Sequence, residues 1–119
     1  MKWYVAKLVY RIVCGDGEHT PQFDEQLRLI AAYNEDEAFA KAFSVGKKEE
    51  DTFFNQRSQL VKWEFINVPE IYPLSELIDG AEIYSKINEV DDAIAYTTFV
   101  HQKAEQLQVS LSHRVLNIV

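Results

Sequence analysis

Along residues 2–13 apolar and polar positions alternate with period two. Tyr4, Ala6, Leu8, Tyr10 and Ile12 fall on one side, and the mixed set Trp3, Val5, Lys7, Val9 and Arg11 falls on the other. Successive side chains of a strand point to opposite faces, so this reads as a β-strand with one packed face and one partly wet face. Residues 14–21, Cys-Gly-Asp-Gly-Glu-His-Thr-Pro, are turn formers and read as a loop. Residues 22–33 alternate with the opposite parity, setting Phe23, Leu27, Leu29, Ala31 and Tyr33 against Asp24, Gln26 and Arg28. An antiparallel hairpin whose paired numbers sum to about 35 would bring the two apolar sets together. Leu8 then faces Leu27, Ala6 faces Leu29, Ile12 faces Phe23, and Arg11 faces Asp24 as a cross-strand ion pair.

Asn34 opens Asn-Glu-Asp-Glu, an N-cap residue followed by acidic residues that suit a helix dipole, with Glu37 placed for a capping box. Ala38, Phe39, Ala42 and Phe43 form the apolar stripe of that helix, and Gly46 is read as its stop. Residues 52–68 suggest a second hairpin: Thr52-Phe53-Phe54, a turn at Asn55–Ser58, then Leu60–Val68. Pro69 and Pro73 are expected to end regular pairing. Residues 74–78 suggest one helical turn closed by Asp79-Gly80, and residues 81–87 a last strand. From about Val90 the period becomes helical, with Val90, Ala93, Thr97, Val100, Ala104, Leu107 and Leu111 spaced alternately by three and four.

Composition places this pattern in a folded chain. The 119 residues are 47% hydrophobic and 13% aromatic, enough for a core without a metal or disulfide. Cys14 is the one cysteine, which excludes an intramolecular disulfide and fits a reducing compartment. Lys7 and Arg11 interrupt the N-terminal apolar run, so no secretory leader is expected, and no run of about 20 apolar residues suggests a membrane span. The expectation is a cytoplasmic protein. Twelve basic residues stand against 19 acidic ones, net −7, and Lys47-Lys48 leads straight into Glu49-Glu50-Asp51. That balance argues against a nucleic-acid partner, which would need clustered cations.

The blocks Trp3-Tyr4-Val5-Ala6-Lys7-Leu8, Phe23-Asp24-Glu25-Gln26-Leu27-Arg28-Leu29-Ile30 and Glu37-Ala38-Phe39-Ala40-Lys41-Ala42 carry a family resemblance. Trp63-Glu64-Phe65-Ile66-Asn67-Val68 and Asp79-Gly80-Ala81-Glu82-Ile83-Tyr84 continue it. In order and spacing they resemble a bacterial family known as domain of unknown function 4288, over roughly residues 1–88. The resemblance implies a small stand-alone bacterial protein. It brings no activity, ligand, cofactor or site residue. The tail after about residue 89 departs from the shared pattern.

Glu25 breaks the alternation, because the register above puts it on the packed face near Tyr10. A buried carboxylate is costly unless paired. It reads either as an acid with a raised pKa or ligand contact, or as a partly wet residue bonded to Tyr10. Glu64 and Glu82 lie on expected strands and could join Glu25 in a carboxylate cluster, although no metal-binding or acid–base spacing supports one. His19, His101 and His113 are too dispersed for zinc, Cys14 has no base or oxyanion donor in its pattern, and Gly15-x-Gly17 lacks the rest of a dinucleotide fingerprint. No cofactor is indicated. Trp3, Val5 and Val9, joined by Ile30 and Ala32, leave an apolar second face needing a cover. The last helix, with Val100, Leu107 and Leu111 in its stripe, is one candidate cover and a second subunit is another.

The resulting expectation is a single α+β domain, with a family-like core over 1–88 and a helical segment over 89–119. Its order is β-β-α-β-β-β-α, with a mainly antiparallel sheet, helices on one face, and a ferredoxin-like or split-βαβ arrangement among the topologies. Three functions are compatible. The first is a non-enzymatic protein-binding or assembly module that forms a homodimer or takes another protein partner. The second is a small enzyme or ligand-binding protein using Glu25 and Tyr10. The third is an acidic inhibitor or immunity-type protein.

Overall fold

The computed structural model describes residues 1–118, with side chains through residue 113. The elements are β1 (Lys2–Cys14), β2 (Gln22–Ala32), α1 (Glu35–Lys48), β3 (Asp51–Phe54), β4 (Leu60–Leu74) and α2 (Ala93–Ile118). The strands form one four-stranded antiparallel sheet in the order β2-β1-β4-β3. Two hairpins therefore lie side by side, and α1 carries the chain across one face from the β2 edge to the β3 edge. This is the α+β class. It is neither ferredoxin-like nor split-βαβ, because the crossover through α1 joins the two edge strands β2 and β3, which run in opposite directions and so make no βαβ unit. The chain falls into two compact units, Met1–Ser85 and Lys86–Val119. Among the described residues no helix is long and apolar enough to cross a membrane.

The β1–β2 hairpin forms where the alternation places it, but one residue out of the expected register. Lys2 pairs with Ala32 and Tyr10 with Asp24, so Leu8 faces Gln26 and Arg11 faces Phe23. A one-residue slip turns a whole set of side chains to the other face. The side facing α1 thus carries Tyr4, Ala6, Leu8 and Tyr10 together with Ile30 and Ala32, all buried. It also carries Asp24, Gln26 and Arg28. These polar residues are tolerated because they bond to one another. Gln26 donates to Asp24 at 2.6 Å, Arg28 donates to Gln26 at 2.8 Å and to Glu49, and the Trp63 indole donates to Asp24 at 3.2 Å. Phe23, Leu27 and Leu29 are turned outward.

Helix α1 starts as its sequence implies. The Asn34 side chain accepts from the Glu37 N–H at 2.8 Å, and the Glu37 carboxylate accepts from the Tyr33 N–H at 3.3 Å. Its end differs, because Gly46 lies inside the helix rather than stopping it. Ala38, Ala42 and Gly46 are spaced by four and make the buried face. A Cβ on Gly46 would collide with the Phe65 ring, so the glycine is there for close approach to β4. Phe39 and Phe43 flank this face instead of filling it, with Phe43 edge-on to Phe65 at 5.3 Å.

Strand β4 continues through both prolines to Leu74, against expectation. The pairs Lys7–Glu70, Val9–Asn67 and Tyr10–Phe65 show extra residues on β4, so Pro69 sits in a bulged stretch. Because β3 pairs only with Leu60–Trp63, the outer side of β4 beyond Trp63 is a sheet edge, where proline is compatible with a strand. The helical turn expected over 74–78 and the last strand over 81–87 are both absent; residues 81–90 are irregular. The alternating Ile83 and Ile87 are 54% and 93% exposed and so line no packed face, whereas Tyr84, of the opposite parity, is half-buried. Helix α2 begins at Ala93, just inside the stretch of helical period, where the Asp92 carboxylate accepts the Ala95 N–H at 3.0 Å.

Candidate functional site

Tyr10 and Glu25 do not form the pair expected of them. Tyr10 is 1% exposed on the α1 side, where its hydroxyl donates to the Gly46 carbonyl at 3.0 Å and its ring packs against Phe65 at 5.5 Å. Burial pushes the Tyr10 hydroxyl pKa up, and the nearby Glu49 charge adds to this. Glu25 lies on the opposite face of the sheet, exposed and paired with Val9. The off-by-one register is the reason. Glu64 is exposed and pairs with Arg11 from the β4 side. With β1 between them and their partners Val9 and Arg11 two residues apart, the Glu25 and Glu64 backbones are separated by two strand spacings across the sheet and two residues along it, about 12 Å. Glu82 lies in the irregular segment, exposed. The three carboxylates are not brought together, and among the described residues no group of three His, Cys, Asp or Glu side chains could hold a metal.

The loop between β1 and β2 surrounds a shallow depression of about 420 Å³ lined by Cys14, Asp16, Glu18 and His19. Its histidine is tied to the backbone. Nε2 accepts the Cys14 N–H at 2.9 Å, and Nδ1 lies 2.9 Å from the Thr20 carbonyl, which places the ring proton on Nδ1. An imidazole held this way braces the loop and has no lone pair left for the thiol. A second groove, about 590 Å³, lies between the start of α1 and the bulged part of β4, lined by Asn34, Asp36, Phe39 and Pro69. It joins no base to a nucleophile.

The second face of the sheet is more distinctive. Over its β4 half, the Lys7 ammonium lies 3.0 Å from the Glu70 carboxylate and 5.6 Å from the Tyr84 ring centre, and Tyr84 stands edge-on to Tyr72 at 5.6 Å. The hydrogen bond to Glu70 is the main cause of a raised Lys7 pKa. Over its β2 half, Phe23, Leu27 and Leu29 are 56%, 48% and 53% exposed. The sequence placed Ile30 and Ala32 beside Trp3, Val5 and Val9 on this face; the register puts both under α1, and Ala31, Leu29 and Leu27 take their place. Val5 is buried there, Val9 is half-buried and Trp3 is exposed. Phe23, Leu27 and Leu29, core residues by their alternation alone, are surface residues in the observed register.

The edges of this sheet are unequal. Strand β3 is four residues long, and the outer side of β4 carries Pro69, Pro73 and bulges, all devices that discourage further pairing. Strand β2 is 11 residues long, with no proline, no lysine and an unbroken register against β1. In the second unit, every side chain of α2 through His113 is exposed, including Val100, Leu107 and Leu111.

The family described as Domain of unknown function (DUF4288) matches residues 3–85. The chain belongs to that family. The matched stretch takes in all of the sheet but Lys2, together with α1 and the Tyr84 segment, and it ends where the first compact unit ends. No curated protein and no solved structure matches the chain.

Proposed function

We propose that this DUF4288 protein is a non-enzymatic assembly module that acts by self-association. The supporting observation is the unequal treatment of the two sheet faces at the β1–β2 hairpin. One face is closed by α1, while the other presents Phe23, Leu27 and Leu29 about half exposed on one long strand. Large apolar residues grouped on one exposed strand face, here with Glu25 between Phe23 and Leu27, are a feature of interaction sites. The placement of Tyr10 and Glu25 on opposite faces of the sheet favours this reading over one that uses the two as an acid–base pair. Light scattering after size exclusion, on the full chain from low to high micromolar concentration, tests the reading. A mass above that of one chain, rising with concentration, is the expected result. A strict monomer at high micromolar concentration overturns it.

A further inference from the structure

Strand β2 has an open outer side, and the direction of each backbone group along it can be read from its neighbours. In an antiparallel strand the N–H and C=O of one residue point the same way, and successive residues point in opposite directions. The Cys14 N–H points toward the β2 side, where it reaches His19, whereas the Gly15 N–H reaches the Leu60 carbonyl on the β4 side. Even-numbered residues of β1 therefore face β2. Through the pairing of Tyr4 with Ile30 and Tyr10 with Asp24, even-numbered residues of β2 face β1 in return. The odd-numbered residues Phe23, Glu25, Leu27, Leu29 and Ala31 point their backbone groups outward. The Lys41 ammonium, which bonds to the Ala31 carbonyl, agrees with this assignment.

This outward row has defined ends. Pro21, just before the strand, has no N–H to offer, and the Ala31 carbonyl is already taken by Lys41. Between them lie Phe23, Glu25, Leu27 and Leu29.

We propose that β2 pairs antiparallel with β2 of a second copy of this chain, about a twofold axis passing through Gln26, to give one continuous sheet. Resting on the assembly reading above, this names the surface and the register. An axis normal to the sheet requires partners of equal parity, and the axis at Gln26 fits on three counts. It sets Asp24 opposite Arg28 of the second copy twice over, a reciprocal charge match. It sets Phe23 opposite Leu29 and Glu25 opposite Leu27 as hydrogen-bonded pairs, giving on the order of eight backbone hydrogen bonds. It also brings Pro21 opposite Ala31, so the missing donor meets the carbonyl that needs none. An axis moved to Leu27 would instead aim the Phe23 N–H at the occupied Ala31 carbonyl and leave Asp24 facing Ile30. On the second face, the chosen register joins Leu29 to Phe23 of the other copy, with Glu25 and Leu27 side by side between those two apolar pairs.

Cross-linking tests the register. In a Cys14→Ser background, Gln26→Cys places two thiols on the axis, on Cα atoms about 4.5 Å apart, within disulfide range. Leu29→Cys places them six positions out of register, beyond that range. Rapid intermolecular disulfide formation at position 26 and not at 29 is expected. A second measurement needs no substitution. Hydrogen exchange at the Leu27 and Leu29 amides of the natural chain slows about tenfold or more as concentration rises through self-association. A dimeric mass with no cross-link at 26 and unchanged exchange at Leu27 and Leu29 overturns the β2 interface while leaving self-assembly in place. A strict monomer overturns both.

Discussion

The Tyr10 hydroxyl donates to the Gly46 carbonyl across 3.0 Å and ties the centre of the sheet to the last turn of α1. Removing that donor with Tyr10→Phe is expected to cost about 1 kcal/mol, the usual net worth of such a bond, measured by urea denaturation at neutral pH. A loss below about 0.3 kcal/mol would mean that the bond contributes nothing net.

The same hydroxyl gives a pH signature. Its folded-state pKa is raised above the ordinary 10.0, chiefly by burial. Its contribution is therefore complete below pH 10 and declines as pH climbs through the folded value, since the unfolded chain ionises first. Stability measured from pH 8 to 11 should fall more steeply for the natural chain than for Tyr10→Phe. Equal slopes would count against a buried neutral Tyr10.

Gly46→Ala adds one methyl group where the Phe65 ring already stands. Overpacking of this kind costs about 1–3 kcal/mol, although alanine is the better helix former. Thermal melts should show the loss, and Phe65→Leu in the same chain should return part of it. A stabilised Gly46→Ala protein would show that α1 does not lie this close to β4.

The register makes opposite demands on two leucines. Leu8 is fully buried and Leu27 is 48% exposed. Leu8→Ala should cost about 2–5 kcal/mol, whereas Leu27→Ser, measured in dilute solution, should stay within about 0.5 kcal/mol. The reverse ranking would restore the register in which Leu27 is core.

Asn34→Ala removes the acceptor of the Glu37 N–H at the start of α1. A loss of about 1 kcal/mol is expected, with Asn34→Asp retaining most of the stability.

The local signals that survived folding were those with one physical reading. Period-two alternation located β1 and β2, and Asn34 with its acidic followers located the start of α1. The signals that misled had two. An apolar stripe on β2 can face the core or a partner, and only the hydrogen-bonded chain from Trp63 through Asp24 and Gln26 to Arg28 and Glu49 shows which. That chain joins residues from β4, β2 and the end of α1, so no local window contains it. Gly46 can end a helix or admit an aromatic ring, and Phe65, which decides between them, is distant in sequence. Proline excludes a residue from an interior strand but not from an edge, and which strand is an edge is a property of the assembled sheet. The candidate site suffered most, because a one-residue slip exchanged its faces. Glu25 moved to the surface, and Ile30 moved beneath the helix.

The position of β1 in the sheet bears on how the chain reaches this structure. β1 leaves the ribosome before both of its neighbours, β2 and β4, and its partner to Trp3 is Leu74. The β1–β2 turn and α1 are complete long before that partner is synthesised. Until then the nascent hairpin has bare backbone on both flanks, and Tyr10 lacks the Phe65 ring. Closing so long a stretch of chain must precede the contacts that reward it, which slows folding relative to local pairing. Only with β4 in place does β1 have a hydrogen-bonded strand on both sides.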